Sequence, residues 1–131
     1  MYILVKPEKD ETMIKHIVMW RLKEQAMGSG KRENAQRVRE KLESMRGKIP
    51  GMVKIELGFD FSATPDSSDV VLYSEFESRE ALEGYMTHPV HEAVKDFIRE
   101  VRTERHVVDY EVVRDESKVR IHYQVSTRRD V

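Results

Sequence analysis

The spacing of apolar residues along the chain alternates between two and about 3.6, the periods of strand and helix. In Ile14 to Leu22 the residues Ile14, His16, Val18, Trp20 and Leu22 share one face, with Ile17 and Met19 on the other. Apolar residues on both faces predict a central strand that is covered on two sides. Gly28-Ser29-Gly30 breaks the chain. From Lys31 to Arg46 the spacing is helical, through Ala35, Val38, Leu42, Met45 and Ile49, and Pro50-Gly51 is expected to stop the helix. A second strand follows, in which Val53, Ile55, Leu57, Phe59 and Phe61 point one way and Lys54, Glu56 and Asp60 the other. Ser62 to Ser68, with Pro65-Asp66, is turn chemistry. Val70 to Phe76 reads as a third strand. Ser78 is placed to cap a short helix through Met86, with Glu80 in its first turn. Pro89 suits the first position of another helix, amphipathic through Val90, Ala93, Val94, Phe97, Ile98 and Val101. His106 to Val113 returns to strand character.

The order β-α-β-β-α-α-β is the split βαβ arrangement of an α+β, ferredoxin-like fold: a four-stranded antiparallel sheet with helices on one face. Ile17, Met19, Val71 and Tyr73 on the other face call for a partner, and a homodimer with two sheets face to face is the economical solution. Residues 1–12 read as an N-terminal extension, with a short strand Tyr2 to Val5 interrupted by Pro7 and the charged run Glu8 to Glu11. Residues 13–113 form the domain. Residues 114–131 form a C-terminal extension in which Val119, Ile121, Tyr123 and Val125 alternate as an added edge strand would.

Composition narrows the function. The chain has 131 residues, enough for one domain, with 39% hydrophobic and 36% charged residues. Its 23 lysines and arginines nearly balance 24 acids, a formal charge of −1, so nothing electrostatic favours nucleic acid or an acidic membrane as partner. The basic residues of Lys31 to Lys48 are interleaved with acids, as on a solvated helix face. There is no cysteine, hence no disulfide, thiol nucleophile or thiolate metal site. No run approaches the ~20 apolar residues of a membrane span, and Met1 to Val5 is too short for a signal peptide, so a cytoplasmic protein is expected. Phosphate-loop, dinucleotide and nucleophile-elbow motifs are missing.

The histidines carry the candidate chemistry. His16 faces the helices from the first strand, either as a satisfied core residue or as a pocket group. Pro89 disfavours helical geometry at His88 and makes it an N-cap, which puts His91 in the first turn. There the positive helix end should lower the His91 pKa and keep a neutral imidazole, the form a general base needs. Tyr85 precedes this corner and offers a phenolic O–H. The corner's other reading is a plain joint between helices. His88 and His91 with Glu92 lack the further fixed ligand that zinc wants, so neither a metal nor a cofactor is expected. Asp109, on the last strand, either bonds His16 or sits at a solvated edge. Pocket-lining candidates are Val18, Trp20, Val70, Leu72, Met86 and Phe97, although aromatic and methionine residues of this kind ordinarily pack a core.

Several motifs together resemble the stress-responsive A/B barrel family: Met13 to Lys23, Ile49-Pro50-Gly51 with Glu56-Leu57-Gly58, the Asp69 to Phe76 strand, Tyr85 through His91, and Val108-Asp109-Tyr110. The resemblance implies a dimeric α/β barrel and much less about activity; the first reading is a pocket between the sheet and its helices, open near Tyr85 and His91, for a small apolar or carbonyl-containing molecule. A plant cyclase of this type closes a polyketide chain by aldol condensation without cofactor. Its acting tyrosine and histidine match Tyr85 and His91, its strand histidine His16, and its terminal aspartate Asp109. A further pocket histidine of that enzyme falls at Val70 here, so its substrate does not carry over. Two alternatives stand beside acid/base catalysis. One is a non-enzymatic stress-associated binding or structural protein. The other is an oxygenase, haem-using or cofactor-free, of the wider barrel group, with His91 or His16 on the iron in the haem case.

Overall fold

β1 (Thr12–Leu22) buries alternate residues, Ile14, His16, Val18, Trp20 and Leu22, and turns Ile17 and Met19 to the opposite face. It is the strand around which the sheet is assembled. The computed structural model describes residues 12–114; the strands expected at Tyr2–Val5 and Val119–Val125, and His122, lie outside the described residues. After β1 come β2 (Gln25–Ala26) and β3 (Ser29–Gly30), a small hairpin turning through Met27 and Gly28 at φ 51° and 76°. The buried side chain of Asn34 ties this hairpin down by donating to the carbonyls of Ala26 and Ser29 at 2.8 and 3.2 Å. The chain continues through α1 (Lys31–Glu43), β4 (Met52–Phe59), β5 (Val70–Phe76), α2 (Arg79–Met86), α3 (Pro89–Val101) and β6 (Arg102–Val113).

The sheet order is β4-β5-β1-β6, and every neighbouring pair is antiparallel. This is the ferredoxin-like α+β topology expected from the element order. Val38 and Leu42 of α1, Tyr85 of α2, and Val94 and Ile98 of α3 join the inward sheet residues in one core. The opposite sheet face carries no helix. There Ile17 pairs with Tyr73 and Val108, Met19 with Val71 and His106, and Lys15 with Tyr110.

Several local expectations change. α1 ends at Glu43, well before Pro50-Gly51; Met45 and Ile49 still reach the core, but from turns held by Met45 N–H to Leu42 O and Lys48 N–H to Met45 O. In β4 the register shifts between Met52 and Lys54, so Val53 bulges outward and is 51% exposed, while Met52 packs on the core in its place. Phe61 lies past the strand and is 98% exposed. β6 starts at Arg102 rather than His106, because the backbone becomes extended as soon as α3 ends. The caps are as expected: Ser78 accepts from Ala81 N–H, and His88 Nδ1 accepts from Val90 N–H at 3.1 Å. Gly51 has φ +79°, and a Cβ there would sit 2.5 Å from Ala81 Cβ, so both backbone and space require glycine.

Candidate active site in the cavity between sheet and helices

A cavity of about 300 Å³ lies between the sheet and the helices. Its floor is the inward face of β1, His16, Val18 and Trp20, with Leu72 of β5. Tyr85 and Met86 close one end, and His91 and Ile98 of α3 form the roof with Leu42 of α1. The inward side of β6 lies beyond the helices and stays open: Arg105 and Asp109 are exposed and Val107 is 45% exposed.

The Tyr85–His91 pair is set by the helix–Pro–helix corner. Tyr85 ends α2 and is 1% exposed, its ring stacked on His91 at 4.0 Å and tilted against Phe76 at 5.2 Å. The His88 cap and Pro89 start α3 so that His91 falls in its first turn, with Nδ1 at 3.1 Å from the Tyr85 carbonyl. A carbonyl only accepts, so Nδ1 carries the hydrogen and the lone pair of the neutral ring is on Nε2. Burial lowers the His91 pKa to about 4, and the nearby Lys95 ammonium acts in the same direction; bonds to the Tyr85 and Met86 carbonyls and the charge of Glu92 oppose it only in part. The shift has the direction expected from the sequence, but desolvation is its main cause rather than the helix end. Burial also pushes the Tyr85 phenol well above the usual tyrosine range, against a smaller pull from Arg105. The hydroxyl therefore stays protonated. It is buried, and no described residue hydrogen-bonds it.

His16 stands edge-on to Tyr85 at 5.8 Å and is 2% exposed. The β1–β6 register sets it opposite Asp109, and His16 Nδ1 lies 2.5 Å from Asp109 Oδ1. A carboxylate acceptor fixes a hydrogen on Nδ1 and orients the ring. His16 is thus both a satisfied buried residue and a cavity wall.

Four of the expected pocket residues, Val18, Trp20, Leu72 and Met86, do line the cavity. Val70 and Phe97 do not. Val70 is buried at the start of β5, paired with Trp20 and Phe59, and Phe97 turns to α1, where the Lys41 ammonium lies 4.9 Å over its ring. His88 is consumed as a cap, and His106 points to the open face near Glu104 at 3.6 Å. Among the described residues no three His, Asp or Glu side chains converge as metal ligands. Sequence reasoning missed Leu42, Ile98 and the basic wall of Lys95, Arg99, Arg102 and Arg105. Part of the signal lies in the spacing: 91, 95, 98 and 102 follow one helical stripe, beside the more conspicuous apolar stripe of α3.

The sequence profile of the stress responsive A/B barrel domain matches residues 14–112. Among solved structures, the chain is similar to a dimeric protein of unknown function and ferredoxin-like fold from Bacteroides fragilis, at 32% identity over 76% of this chain and 96% of that one (TM-score 0.64). It is similar in fold to a dimeric ferredoxin-like protein of unknown function from Thermobifida fusca, at 19% identity, 77% and 92% coverage and TM-score 0.67. It also shares the fold of the hydroxynitrile lyase from Passiflora edulis, at 18% identity, 76% and 93% coverage and TM-score 0.64. No curated protein matches the chain. No helix among the described residues is long and apolar enough to cross a membrane.

Proposed function

Because the chain belongs to the stress responsive A/B barrel domain family, we propose that it is a homodimer whose cavity binds a small apolar, carbonyl-containing molecule and performs acid/base chemistry on it without a cofactor. In this reading His91 Nε2 takes a proton from the carbon beside the carbonyl. The C–H electron pair becomes a carbon–carbon π bond as the carbonyl π pair moves onto oxygen, the Tyr85 hydroxyl hydrogen-bonds the enolate, and the imidazolium then returns the proton or passes it on. The observation that carries this is the Tyr85 hydroxyl, a buried donor that no described residue bonds, stacked against an imidazole whose Nδ1–H is already committed. A conjugate acid near pH 4 makes His91 a weak base in the free protein. A developing enolate beside it favours the imidazolium, so basicity rises as the reaction proceeds. His16, held by Asp109, is a second imidazole on the floor.

The test is exchange of carbon-bound hydrogen in D2O, followed by proton NMR, on aryl and alkyl ketones and oxo acids small enough for the cavity. Wild type should accelerate exchange, and His91→Ala should not. Equal rates with both proteins on every compound would remove the catalytic role and leave a binding protein.

The homodimer rests on the helix-free sheet face, where Val108 is 49% and Tyr110 42% exposed beside Ile17, Met19, Val71 and Tyr73. Dimeric relatives of the same fold support it. Met19→Glu puts a charge in the middle of that face. Light scattering should then fall from twice to once the chain mass at micromolar concentration, and an unchanged mass would reject the face-to-face arrangement.

A further inference from the structure

The basic wall of the cavity is not used by the chemistry above. Four cations line it, and two are already paired: Lys95 with Glu92 at 2.8 Å and Arg99 with Asp96 at 2.9 Å. Arg102 and Arg105 have no carboxylate partner among the described residues, in a chain whose acids outnumber its bases by 24 to 23. Arg102 alone is explained by its place at the C-terminal end of α3, where a cation is favourable. Arg105 has no such explanation. It sits on a strand, paired with Trp20, and brings a second guanidinium to the same cavity from a different direction. Apart from these groups and the His16, Tyr85 and His91 side chains, the walls are apolar: Val18, Trp20, Leu72 and Ile98.

We infer that the cavity takes an amphiphilic oxyanion, a molecule with an apolar body among these side chains and a carboxylate or phosphate head between Arg102 and Arg105. This deepens the reading of the cavity as a small-molecule site and names the class of molecule. Guanidinium groups match both oxyanions through paired N–H donors. The cavity, at about 300 Å³, is roughly twice the ~150 Å³ void that holds a benzene. That size admits one ring with a short chain. Arg105, Tyr85 and His91 line the same cavity, so a head at Arg105 leaves the body of the ligand beside Tyr85 and His91.

Trp20 is the chain's single tryptophan and lies in the cavity wall, so its fluorescence reports occupancy directly. The full-length protein is titrated with 4-phenylbutanoate, the neutral alcohol 4-phenylbutanol and the phosphate monoester of that alcohol. At least one anion should bind ten-fold or more tighter than the alcohol, with an advantage that shrinks as salt rises. The tighter of the two anions identifies the head as carboxylate or phosphate. The double variant Arg102→Gln/Arg105→Gln should lose the preference while binding the alcohol as wild type does. Arg105→Gln alone, at an exposed position, should lose part of it, so the result does not depend on the double variant folding. An alcohol that binds as tightly as both anions, a preference that survives in the double variant, or an indole unmoved by all three ligands would overturn the inference. Oxyanion binding without hydrogen exchange would uphold it while rejecting the acid/base role of His91.

Discussion

Tyr85→Phe should cut turnover by about 10²–10³-fold, the usual loss of one oxyanion donor, while leaving the protein at least as stable as wild type. The two effects come from the same atom. The hydroxyl is buried and shares no hydrogen bond with a described residue, so its removal breaks none with them and relieves a desolvated group worth about 1–3 kcal/mol. The ring is what the fold uses: it fills the space between Phe76 and His91, and phenylalanine keeps that packing. Tyr85→Ala is the contrast, since emptying a fully buried aromatic position should cost about 3–5 kcal/mol. Thermal melts beside the exchange assay separate the cases. If Tyr85→Phe melts well below wild type, the hydroxyl holds the structure together and its catalytic reading is lost.

The second large effect is acid sensitivity from His91. Its pKa is about 4 in the folded protein, against 6.5 for an ordinary histidine. The unfolded chain therefore binds the proton more readily, and stability rises with pH across that interval. The contribution is complete above about pH 6.5 and is lost as pH falls towards 4. At about 1.36 kcal/mol per pH unit, the loss over the interval comes to roughly 3 kcal/mol. Glu92 and Asp60, whose pKa values are lowered by Lys95 and by the Ala63 N–H respectively, lose their contributions at lower pH and in the same direction. His91→Gln isolates the histidine, because the glutamine amide can still donate to the Tyr85 carbonyl. Urea unfolding at pH 7 and pH 4 should show wild type losing roughly 3 kcal/mol more than the variant. Parallel losses would mean that the His91 ring is solvated rather than buried.

The site was partly legible before folding. His91 and Tyr85 could be placed because Pro89, the His88 cap and the end of α2 are local features, and local geometry sets their separation. His16 and Asp109 could be paired only as one of two alternatives, since their contact depends on the β1–β6 register across 93 positions. Val70 and Phe97 were expected in the pocket from residue type alone, but β5 directs Val70 to Trp20 and Phe59, and α3 directs Phe97 to α1.

By itself the sequence determined the kind and order of the elements, the helix caps and the topology they imply. Those follow from apolar period, proline and glycine chemistry and the short connections between neighbours, all of which act within a few residues. Tertiary structure alone decided the bulge at Val53, the early end of α1 and the basic wall facing Tyr85 and His91. The bulge belongs to the pairing of β4 with β5. The wall is assembled from α3 and β6 against β1: helical spacing aligns 95 and 102 with His91, but only the packing of distant elements decides that this stripe and Arg105 border one space.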